Sequence, residues 1–237
     1  MIEVDGLPAG VSGFSTTRAG GVSVGPWSSF NLGAACGDDP DAVAENRRRL
    51  RQQLPGDPRW LKQVHGTRVV HLDDWLPGIE ADAAWTDRSG DVIAVQTADC
   101  LPVLLADQDA QLVAAAHAGW RGLAAGVLPA LVRALPLSAE RLVAWIGPAI
   151  GAGQYQVDEP VREAFVALDR RFEQAFVTTA PGQFMADLKW IARAQLEQAG
   201  LTAIHNCGLC TASDAELFFS YRRDGTCGRM ASLIWKE

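Results

Sequence analysis

Apolar residues along this chain fall in short runs separated by glycine, proline and polar residues, which is typical of strands joined by turns. The two strongest runs, residues 91–106 and 111–117, flank the polar segment 107–110. They predict an antiparallel strand pair. Weaker runs predict three further strands, at residues 59–64, 67–72 and 141–146.

Helical spacing of apolar residues appears in four places. Asp38-Asp39-Pro40 is a helix-start signal, and apolar positions continue at helical spacing over residues 41–53. Further helices are expected over residues 121–135, interrupted or kinked near Pro129, and over 159–170 and 187–199. Because strands and helices are mixed without strict alternation, the pattern predicts an α+β fold rather than a doubly wound sheet.

The two ends of the chain are rich in turn signals. Residues 11–37 contain many glycines and serines and predict a short strand followed by a long loop. Near the other end, Leu217–Tyr221 and Arg229–Trp235 predict two strands around Asp224-Gly225, a common hairpin-turn pair. No linker or internal repeat interrupts the sequence, so residues 1–237 are expected to form one domain.

Composition restricts the partners and the compartment. The chain has 237 residues, of which 48% are hydrophobic, and a formal net charge of −7. An acidic surface argues against nucleic acid as a partner, because phosphate backbones need a basic field. No apolar run approaches the ~20 residues of a membrane helix, and the first residues do not resemble a signal peptide. We therefore expect a cytoplasmic protein without a membrane partner, either a monomer or a weak homo-oligomer.

The strand pair brings two metal-binding residue types together. If residues 107–110 form the loop, Ala106 faces Gln111, and Cys100 lies directly opposite His117 on one sheet face. Cross-strand partners have Cβ atoms about 4.5–5.5 Å apart, so one metal ion can bind both side chains. Zinc accepts sulfur and nitrogen donors, and three protein ligands leave a fourth position for water, as in catalytic sites.

The pattern leaves the third ligand and the role of the cysteine open. His65 precedes Gly66, whose flexibility allows a sharp turn toward the site, but His71 is equally available. Cys100 also has two metal-free interpretations, as a core residue or as a nucleophile with His117 as its base. Strand alternation points Asp99 away from Cys100, which favours a structural or supporting role for that carboxylate.

Short motifs follow one another along nearly the whole chain. They are Ser15-Thr16-Thr17-Arg18, Gly20-Gly21-Val22-Ser23, Asn31-Leu32-Gly33, Gly37-Asp38-Asp39-Pro40, Asn46-Arg47, Gln63-Val64-His65-Gly66, Thr97-Ala98-Asp99-Cys100-Leu101-Pro102, His117-Ala118-Gly119-Trp120-Arg121-Gly122, Ile146-Gly147-Pro148-Ala149-Ile150-Gly151, Cys210-Thr211 and Phe218-Phe219-Ser220-Tyr221-Arg222-Arg223. Together they resemble the YfiH family, also called polyphenol oxidase, laccase-domain or peptidoglycan editing factor proteins. Each motif alone is weak, but the ordered set is highly specific.

The resemblance implies a fold, a metal site and several activities. The implied fold is an αββα-type sandwich, with helices outside two mixed sheets. The implied metal ligands are His65, Cys100 and His117, which selects His65 over His71, and the metal is zinc, with copper possible. The implied reactions are phosphorolysis of adenosine, inosine and methylthioadenosine, and deamination of adenosine. Copper-dependent phenol oxidation and a role in peptidoglycan fidelity are also credited to the family. A metal-free Cys–His hydrolase or amidase acting on peptidoglycan precursors is a further alternative.

A phosphorylase needs groups that hold a phosphate and a nucleoside. Arginine suits the phosphate because its planar fork binds two oxygens. The resemblance selects Arg47 as the first candidate, both catalytic and substrate-binding, and Arg18 and Arg222 are further candidates. Phe219, Tyr221 and Trp120 are candidates for stacking on a purine, although aromatic residues in strands are more often core. The expected partners are thus a small-molecule nucleoside and phosphate.

Overall fold

The structure, a computed structural model, describes residues 1–237. The strands are β1 (Ile2–Glu3), β2 (Val11–Ser15), β3 (Pro58–Trp60), β4 (Val69–His71), β5 (Ala83–Thr86), β6 (Val92–Thr97), β7 (Leu101–Asp107), β8 (Val113–Ala118), β9 (Leu142–Ile146), β10 (Gln156–Asp158), β11 (Phe176–Ala180), β12 (Gln183–Ala186), β13 (Ala203–Asn206) and β14 (Met230–Lys236). The α-helices are α1 (Pro40–Arg51), α2 (Trp120–Ala125), α3 (Val127–Ala134), α4 (Glu159–Val166), α5 (Leu188–Gln198) and α6 (Tyr221–Asp224). No helix has the length and apolar character needed to cross a membrane.

The strands form two large mixed sheets and one small antiparallel sheet. The first large sheet has the strand order β1-β2-β14-β6-β3, and the second has the order β13-β9-β7-β8-β5-β4. The small sheet has the order β10-β12-β11. The two large sheets share one buried cluster, in which Ile93 and Ile234 of the first sheet pack with Leu104 and Val113 of the second. The sheets therefore form the two inner layers of a sandwich.

Helices cover the outer faces of both large sheets. On the first sheet, Leu50 of α1 belongs to the same buried cluster as Val92. On the second sheet, Leu131 of α3 and Ile191 of α5 share a cluster with Val103. Successive residues along each central strand thus face different layers, because side chains alternate across a strand. This arrangement confirms the expected αββα-type sandwich.

Two predicted elements are interrupted where the chain changes direction. Residues 91–106 form β6 and β7, which belong to different large sheets and are joined by a short crossing at residues 98–100. Residues 121–135 contain two helices, and the interruption lies at Gly126, whose φ of 87° is left-handed, three residues before Pro129. Pro129 lies in the first turn of α3, where backbone N–H groups have no intrahelical partner to lose.

The predicted register of the strand pair is wrong by two residues. Ala106 pairs with Val113 instead of Gln111, and His117 lies opposite Pro102. The connecting loop is longer than expected because the buried carboxylate of Asp107 accepts hydrogen bonds from backbone N–H groups within it, including that of Gln111. Cys100 therefore lies just before the paired residues of β7, and strand pairing is not what brings its thiol close to His117.

The predicted C-terminal hairpin is also wrong. The Ser220 hydroxyl accepts a hydrogen bond from the backbone N–H of Arg223 and caps α6, so Leu217–Tyr221 is not a strand. Gly225 follows the last residue of this helix instead of forming a hairpin turn. The second predicted strand exists as β14, which lies between β2 and β6. The shorter predicted strands at 59–64 and 67–72 are reduced to β3 and β4.

One asparagine organises the long N-terminal loop. The fully buried Asn46 of α1 donates to Ser23 Oγ at 2.9 Å and to the carbonyls of Ser29 and Asn31 at 3.1 and 2.9 Å. Its own Oδ1 accepts the backbone N–H of Val22 at 2.9 Å. A loop without strand partners satisfies its backbone groups through this side chain.

We expect Asn46→Ala to lower the free energy of unfolding by about 2–4 kcal/mol, because several buried polar groups lose their partner. Urea unfolding followed by tryptophan fluorescence measures the change. Arg48→Ala is the control, since Arg48 is exposed and pairs only with Glu45, so its effect should stay within about 0.5 kcal/mol. Equal losses in both variants would contradict the role given to Asn46.

Candidate metal centre and its cavity

Three potential metal ligands meet where β6 crosses to the second large sheet. Donor atoms of His65, Cys100 and His117 all lie within 4.8 Å of one another. The Sγ atom of Cys100 is 3.7 Å from Nε2 of His65, and the two imidazole rings meet edge to face with centroids 4.7 Å apart. His71 lies elsewhere and packs against the ring of Trp85, with centroids 4.2 Å apart.

An unusual backbone conformation directs Cys100 into this group. Asp99 has a φ of 91°, in the left-handed region that side-chain-bearing residues rarely adopt. Its buried carboxylate holds the turn by accepting hydrogen bonds from Thr211 Oγ1 at 2.6 Å and from the backbone N–H of Arg222 at 2.7 Å. The carboxylate therefore has a supporting position, and the turn places the thiol beside His117 although the strand register does not.

The absence of a side chain at residue 119 leaves space for the three donors. A Cβ atom on Gly119 would lie 2.8 Å from Sγ of Cys100 and 2.7 Å from Cδ2 of His65, closer than real contacts allow. The motif His117-Ala118-Gly119 therefore supplies one possible ligand, His117, and a glycine that leaves room for the other two, His65 and Cys100.

A single carboxylate holds both histidines. Asp82, fully buried just before β5, accepts a hydrogen bond on Oδ1 from His117 Nδ1 at 2.8 Å and from the backbone N–H of His65 at 2.9 Å. Its Oδ2 accepts the backbone N–H groups of Val64 and Gly66 at 3.1 and 2.7 Å. Three consecutive N–H groups converging on one anion form a nest, which stabilises the left-handed φ of 60° at His65.

The neighbours of each titratable group favour its charged form. Burial acts to raise the pKa of Cys100, but hydrogen bonds with His117 and His65 outweigh it and lower the pKa to about 6. Burial acts to lower the pKa of His117, but Asp82 and Cys100 raise it to about 9. The pKa of Asp82 lies below its usual range, because bonds from His117 and Gly66 outweigh burial. The thiolate is the form that binds metal, so Cys100 is prepared to act as a ligand.

The donor set fits a zinc ion. Asp82 occupies Nδ1 of His117 and leaves Nε2 as the ligand atom, a pairing that commonly orients histidines at metal sites. Two imidazole nitrogens and one thiolate are common zinc ligands, and a three-ligand set is typical of catalytic zinc sites. Of the four histidines in the chain, only His65 and His117 take part in a cluster of three or more possible donors.

A cavity of about 770 Å³ opens next to these ligands. Its size is within the usual range for small-molecule sites. Rings from four aromatic residues and guanidinium groups from three arginines line it together with the ligands, namely Trp60, Trp120, Tyr155, Tyr221, Arg121, Arg222 and Arg229. Residues 33–36 of the N-terminal loop form another part of the wall.

Of the expected substrate-binding residues, the structure brings Arg222 and the stacking candidates Trp120 and Tyr221 into this cavity. Arg47 lies outside the lining, where Nε and Nη2 both donate to the carbonyl of Leu32, at 3.0 and 2.8 Å. Arg18 donates to backbone carbonyls and stacks on the ring of Phe219, 4.7 Å from its centroid. Phe219 is fully buried.

Sequence patterns missed Asp82, Tyr155 and two of the cavity arginines. Asp82 interrupts the apolar run Ala81–Ala84, and a carboxylate in such a run requires buried donors, so a signal was present. Arg121 lies in the motif Gly119-Trp120-Arg121-Gly122, but that motif alone does not indicate that its side chain is a phosphate ligand. Arg229 and Tyr155 carry no local signal, because their place in the cavity depends on long-range packing.

Comparison with known proteins identifies the class to which this fold and donor set belong. A family model described as multi-copper polyphenol oxidoreductase laccase matches residues 12–237. A purine nucleoside phosphorylase of Pseudomonas aeruginosa is 51% identical over 231 residues, which cover 97% of this chain and 95% of the relative. The purine nucleoside phosphorylase YfiH of Escherichia coli is 48% identical over 231 residues, covering 96% and 95% of the two chains.

Solved structures agree with these sequence matches. A Neisseria meningitidis protein of the DUF152 family superposes with a TM-score of 0.96 at 44% identity, covering all of this chain and 98% of its own. The YlmD protein of Geobacillus stearothermophilus superposes with a TM-score of 0.88 at 33% identity, covering 97% and 93%. This chain therefore belongs to the YfiH family, and the resemblance seen in its motifs is confirmed.

We expect Asp82→Asn to weaken zinc binding by about 10- to 100-fold, as loss of an outer partner typically does. An amide has one acceptor oxygen, so two of the four donors around residue 82 would face an NH₂ group. Competition with a chromogenic chelator measures the affinity. Asp74→Asn, at an exposed carboxylate, is the matched control and should bind zinc like the unchanged protein. Unchanged affinity in Asp82→Asn would contradict the role given to this carboxylate.

Proposed function

We propose that the protein is a zinc-dependent purine nucleoside phosphorylase that cleaves adenosine, inosine and methylthioadenosine in the cytoplasm. The observation that carries this proposal is one cavity with three metal-binding donors, four aromatic rings and three arginines. Relatives that share about half of its residues are named purine nucleoside phosphorylases. The reaction transfers the ribosyl group from the purine to phosphate.

The lining residues supply the two recognition elements that this reaction needs. In phosphorolysis the C1′–N bond breaks, a C1′–O bond to phosphate forms, and the purine leaves with the bonding electrons and takes up a proton. Aromatic rings such as Trp60 and Tyr221 offer faces on which a purine can stack. Arginines hold phosphate oxygens in a planar fork and leave little freedom for misalignment.

His65, Cys100 and His117 would hold the zinc ion. When bound, zinc supplies a Lewis acid and lowers the pKa of bound water toward ~7. Asp82 fixes the orientation of both imidazoles, and Gly119 keeps the space between the donors free. The same centre supports our second proposed activity, deamination of adenosine, in which water replaces the amino group and ammonia leaves.

Two other functions have specific observations in their favour. The family description names copper oxidases, but multi-copper chemistry needs several metal sites, and the chain has one cluster of three possible donors. Alternatively, Asp82, His117 and Cys100 are aligned as in a metal-free hydrolase, with the carboxylate on Nδ1 of the histidine. Activity on a peptidoglycan precursor that persists in chelator and is lost on thiol alkylation would favour that alternative.

Incubation of the purified protein with each nucleoside and inorganic phosphate tests the proposal. We expect chromatography to show adenine or hypoxanthine together with ribose 1-phosphate from adenosine or inosine, adenine with 5-methylthioribose 1-phosphate from methylthioadenosine, and inosine from adenosine when phosphate is left out. Oxidation of 2,6-dimethoxyphenol with copper, without any nucleoside cleavage, would instead support the oxidase alternative.

Cys100→Ala should remove bound metal and lower phosphorolysis by more than the roughly 100-fold that loss of an outer partner costs. Metal analysis and the nucleoside assay measure the two effects together. Cys207→Ala is the matched control, since that thiol lies outside the cavity lining, and it should keep both properties. Full metal occupancy in Cys100→Ala would refute the assigned ligand set.

A further inference from the structure

Arginines in the cavity lack the acidic partners that most arginines in this chain have. Elsewhere, residues such as Arg48, Arg88 and Arg141 form ion pairs with carboxylates. None of the three arginines in the cavity lining forms an ion pair. In an acidic protein, unpaired guanidinium groups gathered in one cavity indicate a site for an anion.

Arg222 is held in place from three directions. Its backbone N–H donates to the Asp99 carboxylate at 2.7 Å, and its Nη1 donates to the carbonyl of Gln156 at 2.6 Å. The guanidinium also stacks on the ring of Tyr155, 4.7 Å from the centroid. Its Nε and Nη2 donors have no partner within the chain, so a fixed guanidinium group presents free donors to the cavity.

Arg121 lines the same cavity as Arg222 and Tyr155. Its guanidinium makes no hydrogen bond within the chain and stacks on the ring of Trp120, 4.6 Å from the centroid. Burial raises the pKa of Tyr155 to about 12, and charges on Arg222, Cys100 and Arg121 all influence that hydroxyl. Tyr155 therefore remains neutral and able to donate a hydrogen bond in the cavity that the two arginines and the metal ligands line.

We propose that Arg121, Arg222 and Tyr155 form a phosphate subsite beside the metal ligands, and that Asp99 is the positioning residue that holds Arg222 in it. This proposal rests on the proposed phosphorylase function, in which inorganic phosphate is a substrate. It replaces Arg47 as the phosphate ligand, because two donors of Arg47 are already occupied by the Leu32 carbonyl. Asp99 precedes the metal ligand Cys100 in the chain, and its carboxylate accepts a hydrogen bond from the backbone N–H of Arg222. This hydrogen bond fixes the separation between Cys100 and Arg222.

Calorimetric titration of the zinc-loaded protein with inorganic phosphate tests the subsite without relying on turnover. Arg222→Ala and Arg121→Ala should each raise the phosphate Kd by about tenfold or more, because each loses charge-assisted hydrogen bonds. Arg133→Ala removes an exposed arginine outside the cavity that has no ion pair, and it should bind phosphate like the unchanged protein. Phosphate binding that is insensitive to both cavity variants would overturn the subsite.

Two substitutions at residue 99 separate positioning from simple structural support. In Asp99→Asn the amide can still accept from the Arg222 N–H and donate to Thr211, and asparagine tolerates the left-handed backbone. We therefore expect Asp99→Asn to keep both zinc and phosphate binding, whereas Asp99→Ala, which also loses the support of the Cys100 turn, weakens zinc binding and raises the phosphate Kd even at saturating zinc. Loss of zinc with unchanged phosphate binding in Asp99→Ala would contradict the positioning role.

The outcomes for the subsite and for the proposed function are distinct. Phosphate binding that depends on Arg121 and Arg222, without nucleoside cleavage, would leave the subsite intact and refute the phosphorylase. Nucleoside cleavage in which neither variant changes phosphate affinity or the KM for phosphate would leave the phosphorylase intact and refute the subsite.

Discussion

The buried carboxylate of Asp82 is the interaction on which the candidate metal centre depends. It accepts four hydrogen bonds, one from the His117 ring and three from consecutive backbone N–H groups around His65. Burying a charged group is unfavourable unless it is fully paired, so these donors must stay in place for the fold to remain stable. The positions of two ligands on different segments are therefore fixed by one residue, before any metal binds.

A second buried carboxylate, that of Asp99, performs a comparable task next to Cys100. Asp99 stabilises the turn that presents Cys100, and it contacts the segment that carries Arg222. Asp82 lies just before β5 and Asp99 lies between β6 and β7, and both carboxylates bind backbone N–H groups of irregular connections. The sandwich supplies a rigid frame, and these two side chains convert irregular connections into a defined site.

Much of the fold was predictable because it depends on local patterns. Helix starts at Asp39 and Asp187 combine a capping carboxylate with the apolar spacing that follows, and the central strands are apolar runs. Errors arose where a long-range contact decides the outcome. The strand register was misjudged because Asp107 lengthens the loop, and the final hairpin was misjudged because Ser220 caps a helix.

In the candidate site, too, local sequence patterns predict some of the residues, and long-range contacts determine the others. The sequence pattern correctly predicts that Cys100 and His117 lie together, although the register on which the prediction rests is wrong. The left-handed turn at Asp99, instead of the expected strand pairing, brings the thiol to His117. Family resemblance selected His65 over His71, which the pattern alone did not. Arg47, in contrast, is a motif residue whose side chain supports a loop carbonyl instead of lining the cavity.

X-ray absorption at the zinc and copper edges, on protein purified without added metal, tests the central claim most directly. The account predicts one zinc ion with two nitrogen neighbours from imidazole at ~2.0–2.1 Å and one sulfur neighbour at ~2.3 Å. A zinc shell without sulfur, or a copper centre with metal–metal scattering, would show that the two histidines and the cysteine do not form the proposed site.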